Sequence, residues 1–204
     1  MSSRKAHWEQ IYRDKQPEEV SWHQLAPELS LALIAATHLG PGARLLDVGG
    51  GASRLVDALL DQGYRQLTIL DISAAALAHA RTRLGDRADQ VHWLEADATA
   101  FDLGHEVDIW HDRAVFHFLT EAADRAAYVD QLDRHLAPHG QAIIAAFAPD
   151  GPERCSNLPV VRYSAETLAE TLGDRFRLIE TRAEQHLTPS GARQPFLYHR
   201  FRRR

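Results

Sequence analysis

Three consecutive glycines, Gly49, Gly50 and Gly51, follow Asp47 by two residues, and a second aspartate, Asp71, stands 24 residues beyond the first. Glycine lets a turn take positive φ and lets backbone approach a ligand, and Ser53 just after the run can open a helix whose free N–H groups face that ligand. A carboxylate at Asp71 can accept both hydroxyls of a ribose, and Asp97 can accept from an adenine amino group. Asp47 can hold an ammonium, directly or through water. A ligand with adenosine at one end and an amino acid at the other satisfies all three acids, which describes S-adenosylmethionine. Other nucleotides fit less well. In the dinucleotide pattern G-x-G-x-x-G counted from Gly49, the last position is Arg54, too bulky for the third glycine's packing role, and no Lys-Ser or Lys-Thr follows to make a phosphate loop.

These residues need a sheet to bring them to one edge. Short β-branched or leucine-rich runs alternate with helical periods, the pattern of a parallel sheet covered on both faces. Strands are predicted at 43–48, 66–71, 90–97, 106–112 and 140–148. The helix before the first strand has Pro27 at its first position. Those between start at Ser53, at Ser73 as N-cap, and at Thr120 as N-cap, the last running to Pro138. After a helix at 165–172, the runs 175–187 and 194–202 are joined by "TPSGAR" with no helix between them, which predicts an antiparallel hairpin. The expected fold is α/β: a doubly wound, Rossmann-like seven-stranded sheet, mostly parallel, with a C-terminal antiparallel hairpin strand.

Length 204 fits one domain: residues 1–25 as an N-terminal lid, 43–150 as the cofactor-binding core, and 151–204 as a substrate loop, helix and hairpin. With 23 Lys+Arg against 28 Asp+Glu, no general basic field is present to hold nucleic acid or an anionic membrane. No apolar run is long enough for a membrane helix, the N-terminus lacks a signal-peptide core, and the single cysteine, Cys155, cannot pair internally. A cytoplasmic protein is expected. No His/Cys set has zinc-ligand spacing, so no metal is expected.

"LLDVGGGAS" resembles the first motif of the class I S-adenosylmethionine-dependent methyltransferases, and "LTILDIS" the second, with its ribose-binding acid. "LEADAT" is similar to the adenine-side acidic motif, "VDIWHDRAVFHFLT" to the fourth, and "LAPHGQAIIAAFAPDG" to the helix end, turn and fifth strand. The family's usual third glycine is Ser53 here. The resemblance implies S-adenosyl-L-methionine as cofactor, with Gly49 and Gly51 at its methionine portion and Asp71 at the ribose. It also implies Ile72 beside the adenine, Asp97 on the adenine amino group, Ala98 giving a backbone N–H, and His111 near the transferred methyl. Neither "NPPY" nor "DPPY" is present after the fourth strand, which argues against a DNA or RNA base amine as acceptor.

Methyl transfer is an in-line displacement in which the protein mainly aligns the partners. A thiolate, metalloid or halide needs no base, whereas an amine or hydroxyl does. His111 and His117 are candidate bases, Arg113 a candidate anion binder, and Tyr12, Trp22, Arg113 and Arg162 candidate acceptor contacts. A small-molecule acceptor is the leading expectation. Alternatives are a protein lysine, because "DRAVFHFL" occupies the place of a similar segment in some lysine methyltransferases, and a nucleotide-binding module without catalysis.

Overall fold

The computed structural model describes residues 3–204. Seven strands form one sheet: β1 (Leu45–Val48), β2 (Leu67–Asp71), β3 (Val91–Glu95), β4 (Val107–Arg113), β5 (Leu136–Phe147), β8 (Phe176–Leu187) and β9 (Arg193–Arg203). Their order is β3-β2-β1-β4-β5-β9-β8. The first five strands are parallel, and β9 runs antiparallel to both β5 and β8. This is the expected doubly wound sheet with its closing hairpin, and the order reverses between β1 and β4, where such folds bind ligands. The remaining pair, β6 (Arg154–Cys155) and β7 (Leu158–Pro159), is a small ribbon turning through Ser156 and Asn157, both at positive φ.

Alternating residues of the central strands feed two apolar layers. Leu45, Ile69, Ile109 and Ile143 pack on one face with α2 (Glu28–Ala35) and α3 (Leu55–Asp61). Leu46, Leu70, Trp110 and Ile144 pack on the other with α5 (Ala122–His135) and α6 (Ala165–Leu172). Both faces are thereby dry, which explains why these strands read as unbroken apolar runs. α4 (Ala74–Leu84) starts from Ser73, whose hydroxyl accepts from Ala76 N–H as expected for an N-cap.

Several element ends depart from expectation. Pro27 is the N-cap of α2 and not its first residue, and α3 starts at Leu55 with Arg54 at the N-cap. Ser53 still serves this end, its Oγ accepting from Leu55 N–H at 3.1 Å. α5 is capped at Glu121, not Thr120. It stops at His135, and Leu136 enters β5 opposite Val107 while Ile109 faces Gln141. The residues between bulge out of the ladder around Pro138, which has no N–H to give, and His139 at φ 65°.

Candidate functional site

Asp47 and His111 sit on adjacent strands in direct register. Both are buried, and His111 Nδ1 lies 2.7 Å from Asp47 Oδ1. A carboxylate only accepts, so Nδ1 donates, and Nε2 faces the hydroxyl of Ser30 from α2 at 2.9 Å. The second carboxylate oxygen, Oδ2, is buried without a partner among the described residues. It lies beneath the glycine turn, where a Cβ on Gly50 would come within 2.4 Å of it.

The glycines make room chiefly for the protein's own acids. A Cβ on Gly51 would meet Asp71 Oδ2 at 2.3 Å, and one on Gly49, at φ +68°, would meet the Val115 side chain. Asp71 ends β2, buried, with Ser73 N–H donating to its Oδ1 at 2.9 Å. Burial raises its carboxyl to about 7, against the pull of the Ser73, Gly51 and Ile72 N–H groups and with the nearby Asp47 charge adding to the rise. This acid is primed to gain from hydroxyl donors that would restore its ionised form.

Gly49, Asp71, Ile72, Asp97 and Ala98 line one cleft. Tyr12, Trp22 and Arg113 line the same cleft and also the adjoining recess that holds Asp47, Gly50, Ser53, Ser30 and His111. Gly51 lies below the surface of both. Asp97 falls past the end of β3, in a turn where its Oδ1 accepts from Thr99 N–H and hydroxyl, and Arg4 pairs with its Oδ2 at 3.2 Å.

Two expected residues stand elsewhere. His117 is fully buried between Phe118 and Phe147 with neither ring nitrogen bonded, and burial depresses it to about 3, so it stays neutral and sealed from the cleft. Arg162 points to Gly151 O and Glu153 and lines neither cavity.

Arg113 is a structural clasp more than an open anion site. Its Nε donates to Tyr198 Oη at 2.7 Å and its Nη1 to Trp22 O at 2.9 Å, while Nη2 faces Glu184 Oε2 at 3.4 Å. Its guanidinium lies 4.6 Å from the Phe196 ring centroid.

Residues not singled out in the sequence also shape the site. α1 (Ser3–Asp14) reaches the start of α4 through Glu9, whose Oε2 accepts from Ser73 Oγ at 2.9 Å and Ala75 N–H at 3.2 Å. Burial alone would raise the Glu9 carboxyl, but these donors and Arg13 hold it below its ordinary value. Buried Asp112 takes N–H groups of Val115 and Phe116 and the Tyr128 hydroxyl, fixing the loop after β4. The D-x-x-[loop] pattern at Asp112 was a visible turn signal, whereas Glu9 belongs to an ordinary helix pattern that betrays no partner.

Residues 46–142 match the family described as "Methyltransferase domain". That stretch is a methyltransferase domain of the class I, S-adenosylmethionine-dependent kind. Within the curated relatives of this domain, an eEF1A lysine and N-terminal methyltransferase of Danio rerio is 32% identical over 149 residues, covering 71% of this chain and 21% of that protein. Nodulation protein S of Rhizobium tropici is 27% identical over 146 residues, covering 72% of this chain and 60% of that protein. The chain therefore spans about a fifth of the zebrafish relative's length and less than two thirds of the rhizobial one's. In fold, the methyltransferase domain resembles the Burkholderia thailandensis 1,6-didemethyltoxoflavin-N1-methyltransferase solved with 1,6-didemethyltoxoflavin and S-adenosylhomocysteine. The TM-score is 0.75 at 23% identity, over 98% of this chain and 87% of that one.

Proposed function

We propose that this chain binds S-adenosylmethionine and passes its methyl group to a small-molecule acceptor. The observation that carries this is one continuous pair of cavities at the carboxyl edge: Asp71, Ile72, Asp97 and Ala98 in one, and the half-bonded Asp47 with His111 in the other. The residues fit the cofactor, because the orphaned Asp47 Oδ2 suits an ammonium and the Asp71 carboxylate suits vicinal hydroxyls. When bound, S-adenosylmethionine supplies a methyl made electrophilic by its sulfonium.

The chain's own residues would hold and orient. His111, fixed by Asp47 and Ser30, sets the wall beside the methionine end, and Gly49, Gly50, Gly51 and Ser53 shape the turn there. Arg113 holds the Trp22 carbonyl in place, so that Trp22 and Tyr12 cover the cleft and exclude water. Small-molecule transfer draws support from the similar Burkholderia thailandensis N1-methyltransferase, which holds the small molecule 1,6-didemethyltoxoflavin beside S-adenosylhomocysteine. The zebrafish relative's name, a lysine and N-terminal methyltransferase, supports a protein amine as the second reading.

Calorimetry with S-adenosylhomocysteine, with NAD as control, tests cofactor choice, and consumption of labelled cofactor over a panel of small acceptors and a lysine peptide tests the chemistry. Binding of NAD in preference to S-adenosylhomocysteine would defeat the proposal. Binding without turnover on any acceptor would leave a nucleotide-binding module.

A further inference from the structure

Beyond Asp71 the cleft wall is aromatic. Trp8 stands edge-on to Trp22 and to Phe118, with ring centroids 5.6 and 4.9 Å apart, and Tyr12 packs at the edge of Trp22. The cations on this wall are two guanidiniums, Arg4 and Arg113.

With Asp71 and Asp47 given to the cofactor as above, the remaining carboxylates around this cup are engaged. Glu184 takes Gln24 on Oε1 and both Arg113 and Tyr198 on Oε2. Glu9 takes Ser73, Ala75 and Arg13, and Asp97 faces Arg4. The weaker bases are closed off as well. Tyr12 Oη accepts from Trp22 Nε1 at 3.0 Å, and burial holds its phenol well above the ordinary range. Cys155 is a buried thiol raised to about 11, His117 is sealed, His111 has both ring nitrogens bonded to Asp47 and Ser30, and His7, which lines neither cavity, faces Ser156 Oγ at 3.2 Å.

We propose, resting on the methyltransferase reading above, that the acceptor is an uncharged planar heteroaromatic whose ring nitrogen offers a free lone pair, and not an alkylammonium such as lysine. An ammonium would shed its water beside two guanidiniums and a sulfonium with no carboxylate left to receive it, and would then need a base to free its lone pair. A neutral ring needs neither, and gains offset-stacked or edge-on contact with Trp8, Trp22 and Phe118 beyond simple burial. The nitrogen lone pair forms the N–CH3 bond as the C–S bond breaks. The pair of the broken bond stays on sulfur as a neutral thioether, the positive charge passes to the methylated ring, and no proton moves. The aromatic walls then face the charge they stabilise.

The test titrates isoquinoline and n-butylamine into the full chain at neutral pH with S-adenosylhomocysteine present, following tryptophan fluorescence. S-adenosylhomocysteine binding is measured first by calorimetry on the same sample. Isoquinoline is expected to bind at least about tenfold tighter than the amine, and Phe118→Leu to weaken it at least about threefold while S-adenosylhomocysteine affinity holds within about twofold. With S-adenosylmethionine, mass spectrometry should find N-methylisoquinolinium, formed at a rate flat with pH above the heterocycle's own pKa. Tighter or faster n-butylamine, no binding of either probe, or a rate that climbs with pH until Glu184→Gln abolishes the climb would each overturn the acceptor class. Failure to bind S-adenosylhomocysteine would instead overturn the methyltransferase reading and this inference with it.

Discussion

Asp71→Asn exchanges the most strained charge of the site for a neutral group of the same shape. The native carboxyl rises from its ordinary 3.8 to about 7, so keeping it ionised in the fold costs on the order of 4 kcal/mol. The sign follows from proton binding: between those values the folded state holds the proton more firmly, so this acid's contribution is complete below its unfolded pKa and is lost as pH climbs toward 7. Asparagine removes that loss but keeps only one acceptor oxygen, and the Ser73, Gly51 and Ile72 N–H groups share the carboxylate. One abandoned N–H costs about 1–3 kcal/mol, which leaves a net stabilisation of about 1–3 kcal/mol at pH 8. At pH 5 the native acid is protonated and most of the gain vanishes. Urea unfolding of the ligand-free protein at both pH values measures this, with S-adenosylhomocysteine affinity falling by at least about tenfold in the same variant. A variant less stable than the parent at pH 8, or a gap equal at both pH values, would refute the placement of a buried, desolvated charge at Asp71.

His117, depressed to about 3 by burial, has the opposite sign: its stability is present above pH 6.5 and lost as pH falls, so His117→Phe should gain about 2 kcal/mol over the parent at pH 5 in urea unfolding. A loss at pH 5 would contradict the sealed position. Gly51→Ala drives a methyl into Asp71 Oδ2 and the Ala76 side chain; circular dichroism should stay native while calorimetry finds S-adenosylhomocysteine binding weakened at least about tenfold. Glu9→Gln and Ser73→Ala should couple by about 0.5–1.5 kcal/mol in a double-mutant cycle on unfolding, and additivity there would remove the contact between α1 and α4.

The strands were legible because both sheet faces are covered, so each one stood out as an apolar run bounded by Gly, Pro or Ser, and the hairpin was legible because "TPSGAR" is too short for a crossover. Helix ends were not. Propensity placed caps at Thr120 and before Pro27, but Glu121 and Pro27 took those positions, and the bulge at 137–140 drew Leu136 out of α5. For the site, motif spacing placed Gly49, Asp71, Ile72, Asp97 and Ala98 on one cavity. It could not see that Gly50 and Gly51 shelter carboxylates, since that depends on where Asp47 and Asp71 point. His117 and Arg162 misled because residue type reports chemistry but not exposure, and Glu9 and Arg4 escaped because their partners lie more than sixty residues away.

Glu184 and His186 on β8 and Tyr198 on β9 hold the far N-terminal segment, through Gln24, the Ser21 carbonyl and Arg113's grip on Trp22. The tryptophan cover over the nucleotide edge is therefore moored to the closing hairpin as well as to Arg113 of β4, so fraying of β8 and β9 would loosen the cleft.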